Sequence, residues 1–278
     1  MQEEHTSFTE TWEILNATSE CPYGKCDGTG MIQARNKKTF EVAGFICKCR
    51  QQNIYSQRVQ FANIPKEFSE LTVASFETEL YSKEVDKELA RNAKRISVGY
   101  VKDYGKYEDR SKGLYFYSKA KGSGKTRLAV SLGNALLNVK HKQVKFITTV
   151  DILKEIRNTY NKETKYTESQ IIEGITGVEI LIVDDIGVER TKNWINEVLY
   201  SIFDTRMKYK KVTIFTSNCS IESLEHDDRL KSRIFKMAIP VKMPEEDIRV
   251  KQSKEENEKL QNDLLGVVSN EKKYRRLD

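Results

Sequence analysis

Residues 119–126 read KAKGSGKT, and this stretch constrains the fold more than any other. It follows Leu114 to Tyr117, a short β-prone run, and precedes the helix-forming segment Lys125 to Leu137. A bare GKT would suit an ordinary glycine turn, but a strand before it and a helix after it specify a phosphate-binding loop. In such a loop the backbone N–H groups of Gly122, Ser123 and Gly124, together with the helix N-terminus, surround phosphate oxygens. Lys125 is expected to meet the β and γ phosphates of ATP as a point charge, and the Thr126 hydroxyl to ligate Mg²⁺. One position departs from the pattern, which asks for glycine where this chain has Lys119. If that position needs a positive φ, the lysine costs roughly 1 kcal/mol of strain, enough to alter the loop but not to disable it.

Residues 180–187 read ILIVDDIG, four apolar residues of a buried strand that ends in two carboxylates. Ligands of parallel sheets collect at such C-terminal strand edges. Asp184 is expected to hold Mg²⁺ and Asp185 to orient or activate the attacking water. TIFTSN, residues 213–218, forms another β-prone run, which places Asn218 to touch the γ-phosphate or that water. Arg229 and Arg233 in RLKSRI lie four apart and share one face of a helix. Read as solvated surface charge they do nothing; read functionally, Arg233 reaches a neighbouring subunit's γ-phosphate and Arg229 supports it.

Strand signals at Val144 to Val150, Ile180 to Val183 and Val212 to Thr216 alternate with helical segments near 151–161 and 193–209. That alternation predicts an α/β fold with a parallel sheet covered on both faces. A chain of 278 residues accommodates one such domain and a smaller module. Its net charge of +6 permits nucleic acid or an acidic protein as partner without requiring either. The longest aliphatic run, Ile180 to Val183, is far short of a membrane span, and the acidic start MQEEHTSFTETW lacks a secretion signal, so a cytoplasmic location is expected.

Four of the five cysteines lie between Cys21 and Cys49. Cys21-x4-Cys26 and Cys47-x-Cys49 supply four thiolates from two loops, the ligand type and number of a closed structural zinc site. The alternative is four reduced, partly buried thiols. His5, the one histidine in this region, lies outside the pairs, and Cys219 has no partner cysteine and reads as a packed free thiol.

Taken in order and spacing, KAKGSGKT, ILIVDDIG, TIFTSN and RLKSRI resemble the bacterial replicative helicase loaders of the DnaC/DnaI type, which are AAA+ ATPases. The resemblance extends to NIPKEF at 63–68, FITTVDILKEIRNTY at 146–160 and GVERTKNWINEVLY at 187–200, and covers roughly residues 60–240. It implies a P-loop sheet of order 5-1-4-3-2, a reduced helical lid, and an N-terminal zinc module that contacts the helicase. It also implies that the ATP-bound protein assembles side by side, engages single-stranded DNA and delivers the replicative helicase to it, with slow, DNA-stimulated hydrolysis acting as a switch. Lys145, Lys154 and Arg157 are candidate DNA contacts, with exposed helix charge as the bland alternative. Arg249 is a further candidate for the nucleotide.

The organisation expected is a zinc-binding, helicase-docking module at 1–60, a linker with leading helices at 61–110, the ATPase domain at 111–245, and a charged tail at 246–278. Lys119 and the cysteine spacing suggest a divergent member, encoded by a phage or mobile element. Two other readings compete. A transposition-assisting ATPase shares the motif order but would not need the cysteine module. A non-hydrolysing zinc-containing adaptor of the replication machinery draws its support from Lys119.

Overall fold

A computed structural model describes residues 11–160, 167–189 and 193–264. His5, the Arg190–Lys192 part of the GVERTKNWINEVLY resemblance and the basic end KKYRRLD lie outside the described residues. The chain divides into two compact units, 1–63 and 64–278.

In the first unit, strands β1 (Trp12–Ile14), β2 (Met31–Asn36) and β3 (Val42–Ile46) form an antiparallel meander. Alternation along β2 turns Ile32 and Ala34 inward. They meet Cys21, Cys26, Cys47 and Cys49, so four of the six buried residues in this small core are cysteines. Trp12 and Phe45 close the core edge-to-face, with ring centroids 5.0 Å apart. Helix α1 (Cys49–Ala62) leaves the cluster and ends at Asn63, whose left-handed backbone stops the helix. Small units with cores of this size usually draw on a disulfide, a metal or a partner for stability.

The second unit carries a wholly parallel sheet of β4 (Gly113–Tyr117), β5 (Val144–Thr148), β6 (Ile180–Ile186), β7 (Val212–Ser217) and β8 (Ala238–Lys242). The spatial order is β5-β6-β7-β4-β8. Numbered from the phosphate-loop strand, this is the expected 5-1-4-3-2. Helix α2 (Glu84–Lys102) leads in, followed by the short α3 (Tyr104–Glu108). Helix α4 (Lys125–Val139) buries nearly every apolar side chain and lies so close to the sheet that a Cβ on Gly133 would come within 2.5 Å of Ile182. The opposite face, bearing Leu181 and Val183, is covered by α5 (Thr149–Asn158), α6 (Glu168–Thr176), α7 (Asn193–Lys208) and α8 (Asp228–Met237). Alternation along β6 thus serves two cores, which is why its sequence reads as an unbroken apolar run.

Several boundaries depart from the periodicity. The strand beginning at Val144 stops at Thr148 rather than Val150, because the Thr148 hydroxyl accepts the Asp151 N–H and caps α5. Strand β8, AIPVK, gives little strand signal because it contains a proline; as an edge strand it can spare the missing N–H of Pro240. After β8 the described residues hold one helix, α9 (Ile248–Leu264), which buries only Ile248. That agrees with a reduced lid.

Candidate functional site

The loop between β4 and α4 has the shape its glycines predict. Gly122 and Gly124 adopt φ values of +69° and +91°, which L residues rarely tolerate. A side chain on Gly124 would strike Phe76, 2.9 Å from its Cβ position. Lys119 is absent from the positive-φ positions, so the anticipated strain does not arise there. Its N–H instead donates to the Glu245 carboxylate at 2.9 Å, just beyond β8.

Lys125 folds back over the loop, its Nζ donating to Ala120 O at 2.7 Å and standing 3.4 Å from both Ser118 O and Ser123 Oγ. Burial holds its ammonium below the ordinary lysine value, against the opposing pull of Asp185 and Asp184. It is a cation satisfied by neutral oxygens, which an anionic phosphate could replace.

Beneath the loop, Asp184 gathers three elements. Its Oδ1 accepts the Thr126 hydroxyl at 2.9 Å and the Thr216 hydroxyl at 2.6 Å. The Thr216 oxygen in turn accepts the Asp185 N–H at 2.9 Å. Burial raises the Asp184 carboxyl above the usual carboxylate range, partly offset by the Thr216 hydroxyl, with the neighbouring Asp185 charge adding to the rise. A buried acid, a hydroxyl and a second acid together suit a hard divalent cation such as Mg²⁺, which takes oxygen ligands and retains waters. Asp185 is non-glycine yet sits at φ +56°, beside a register irregularity between Val183 and Ile186 that releases it from the ladder with β7. A left-handed residue at this point is a strained position of the kind found at functional sites.

These groups line a cleft of about 830 Å³ with Lys121 to Arg127, Asp184, Asp185, Asn218, Ile248 and Arg249. Gly122, Ser123, Gly124, Lys125, Thr126, Asp184, Asp185 and Asn218 are therefore brought together, and Arg249 joins them. Arg229 and Arg233 do not line it. Arg233 pairs with Asp204 at 2.8 Å and donates to the Tyr200 hydroxyl at 2.9 Å, whereas Arg229 is largely exposed beside Asp227. Lys154 and Arg157 lie exposed on α5, with the Arg157 guanidinium 5.4 Å from the Trp194 ring centroid.

Three features were not read from the sequence. Thr216 lies two residues before Asn218 on β7, and its pairing with Asp184 depends on β7 neighbouring β6. Residues 244–249 strap the loop from above: Ser118 Oγ donates to Pro244 O at 2.6 Å, the Ile248 N–H to Gly122 O at 3.2 Å, and Asp247 lies against Gly122. Below, the Tyr81 hydroxyl donates to Ser123 O at 2.9 Å. The third feature is a buried pair of His226 with Glu189, which lies on the loop after β6.

The four cysteine sulfurs of the first unit all lie within 4.8 Å of one another, with Cys21 and Cys47 3.7 Å apart and Cys26 and Cys49 3.4 Å apart. A tetrahedron of thiolates around zinc has S···S edges of about 3.8 Å, so the donor set fits. Backbone N–H groups, chiefly that of Lys25, lower the Cys21 thiol to about 6, while burial pushes Cys47 and Cys49 up. Cys219 stands apart, 3.5 Å from Ser217 Oγ.

A glycine loop on a helix N-terminus, an acidic strand end beside it and the 5-1-4-3-2 parallel order define the protein class as a P-loop ATPase of the AAA+ type. The chain belongs to the family of the bacterial DnaA ATPase domain, which matches residues 86–242. It is similar to the replicative helicase loader DnaC of Escherichia coli (strain K12), being 27% identical over 133 residues, 48% of this chain and 52% of that protein. It is also similar to the replicative helicase loader DnaI of Bacillus subtilis (strain 168), 26% identical over 165 residues, 54% of this chain and 51% of that protein. The chain thus spans about half the length of the curated relatives it matches. A crystal structure of DnaI shares the fold, with a TM-score of 0.54 at 21% identity over 69% of this chain and 99% of the other.

Proposed function

We propose that this protein is an ATP-dependent loader that delivers a replicative DNA helicase onto single-stranded DNA in the bacterial cytoplasm. The observation that carries the reading is the Thr126–Asp184–Thr216 hydrogen-bonded group beneath the glycine loop, in a chain similar to DnaC and DnaI. Gly122, Ser123, Gly124 and Lys125 hold the phosphates, Thr126 and Asp184 hold Mg²⁺, and Asp185 and Asn218 orient the attacking water. The metal supplies charge neutralisation of the phosphates. Hydrolysis is slow and stimulated by single-stranded DNA, which Lys145, Lys154 and Arg157 contact. Arg233, supported by Arg229, acts across the interface between assembled subunits, leaving its Asp204 and Tyr200 partners to do so. Residues 1–60, stapled by zinc on Cys21, Cys26, Cys47 and Cys49, dock on the helicase; 61–110 link and lead into the ATPase domain at 111–245, and 246–278 form the tail.

The test is Mg²⁺-dependent ATP hydrolysis by the full chain, with and without single-stranded DNA, alongside capture of the host's replicative helicase. Expected results are DNA-stimulated turnover, loss of nucleotide binding in Lys125→Ala, and retained binding without turnover in Arg233→Ala. Neither turnover nor helicase capture would overturn the reading. Capture and nucleotide binding without any turnover would favour the adaptor instead.

A further inference from the structure

The loop that follows Asp184 and Asp185 is tied down by a buried polar chain that the nucleotide reading does not use. Gly187, at φ +92°, turns the backbone away from β6, and Glu189 Oε2 accepts the Gly187 N–H at 3.1 Å. The other carboxylate oxygen stands 2.7 Å from His226 Nε2, and the two side chains are 4% and 0% exposed. His226 Nδ1 lies 2.8 Å from Asn196 Oδ1 on α7. His226 immediately precedes Asp227, whose carboxylate accepts the Leu230 N–H and caps the helix that carries Arg229 and Arg233.

The chemistry of this chain is specific. Glu189 Oε1 and His226 Nε2 face each other at 2.7 Å without the geometry of a regular hydrogen bond, and neither atom has another partner among the described residues, so each has only the other to offset its burial. An amide can meet Nδ1 with its oxygen or with its NH₂, so Asn196 partners that nitrogen whichever tautomer the ring holds. The result joins two places more than thirty residues apart: the turn that positions Asp185, and the root of the arginine-bearing helix. Gly187 and Glu189 share a hydrogen bond and Glu189 lies against His226, so the loop and the helix root are in continuous contact.

We propose that Glu189, His226 and Asn196 are positioning residues that lock the loop after Asp185 to the start of α8, so that the water-orienting carboxylate and the arginine helix are set together. This rests on the nucleotide site proposed above. Misplacing a reacting group by about 1 Å can cost as much as about a hundredfold in rate. Glu189→Gln, which keeps the shape and the contact with Gly187 but removes the charge, is therefore expected to lower kcat about tenfold while leaving KM for ATP and the melting temperature near those of the native chain. Asn196→Ala, which strips the partner from His226 Nδ1, is expected to lower kcat in the same way. An unchanged kcat in Glu189→Gln, or a loss that merely follows the folded fraction, would overturn the proposal.

A second readout separates this idea from the ATPase reading. With three histidines in the chain, the ¹⁵N imidazole signals can be assigned by comparison with His226→Gln. A protonated Nε2 on His226, whose signal moves when Mg²⁺ and a non-hydrolysable ATP analogue are added to the native chain but not to Glu189→Gln, supports the coupling even without turnover. A His226 signal indifferent to an analogue that demonstrably binds sinks it.

Discussion

Asp184 shows at the level of one residue how a buried charge opposes stability. It is buried, accepts two hydroxyls through one oxygen and lies next to a second acid, and burial raises its pKa. Because the folded-state pKa is raised, the ionised form costs stability above that pKa, and the cost is relieved as pH falls through it. Asp184→Asn retains an oxygen for Thr126 and Thr216 and removes the charge. Scanning calorimetry without nucleotide should therefore show a melting temperature a few degrees above that of the native chain at pH 7. The advantage should shrink as the buffer is taken into the acid range, and the variant should have lost Mg²⁺-dependent hydrolysis. A melting temperature below the native value at neutral pH would mean that the carboxylate is stabilised by something other than the two hydroxyls.

Among the secondary-structure elements, the polar part of the joint between α6 and α7 centres on one side chain. Arg206 is fully buried and, among the described residues, its hydrogen-bond partners are carbonyls and one hydroxyl. Its guanidinium donates to the carbonyls of Ile175, Thr176, Val178 and Val212 at 2.6–3.2 Å, and to the Thr213 hydroxyl at 3.0 Å. Ile175 and Thr176 close the C-terminal end of α6, where the helix dipole is negative, so carbonyl dipoles there take the place of a counter-ion. Five donors in a planar fork can satisfy so many acceptors; an ammonium cannot. Arg206→Met would leave those carbonyls buried without donors, at about 3 kcal/mol or more. Thermal unfolding should register this as a fall of roughly 10 °C, while Arg206→Lys recovers little of it. A loss of one or two degrees would show that water replaces the guanidinium.

For the molecule as a whole, the two units draw stability from different sources. The 64–278 unit has a two-faced parallel sheet and a continuous apolar core. The 1–63 unit buries six residues in its core, four of them the clustered cysteines. Removal of the proposed zinc should accordingly unfold one unit and spare the other. The chain has two tryptophans, one in each unit, so Trp194→Phe leaves Trp12 to report on the cysteine unit. Treating that variant with a chelator should release about one zinc per chain and shift Trp12 emission to the red, while nucleotide binding persists. Simultaneous loss of nucleotide binding would show that the larger unit depends on the smaller one. No bound zinc and no spectral change would leave the four thiols as a reduced apolar cluster.

The local features were legible in the chain because short-range chemistry dictates them. Only glycine tolerates the left-handed turns at 122 and 124, a four-residue apolar run before two acids reads as a buried strand end, and paired cysteines announce a ligand set. What escaped depends on which strands become neighbours. Thr216 partners Asp184 because β7 inserts between β6 and β4, and nothing local to TIFTSN states that order. Pro240 hides an edge strand, since a sheet edge alone can spare its N–H. Glu189 and His226, thirty-seven residues apart, meet only once the loop after β6 and the root of α8 are packed at one end of the sheet. The sequence determined the phosphate loop, the acids and the thiols, because their backbone and ligand chemistry is local. Tertiary structure decided which second hydroxyl holds Asp184, what the Lys119 N–H bonds and where the buried charges find partners, because burial and strand adjacency arise only when distant segments pack.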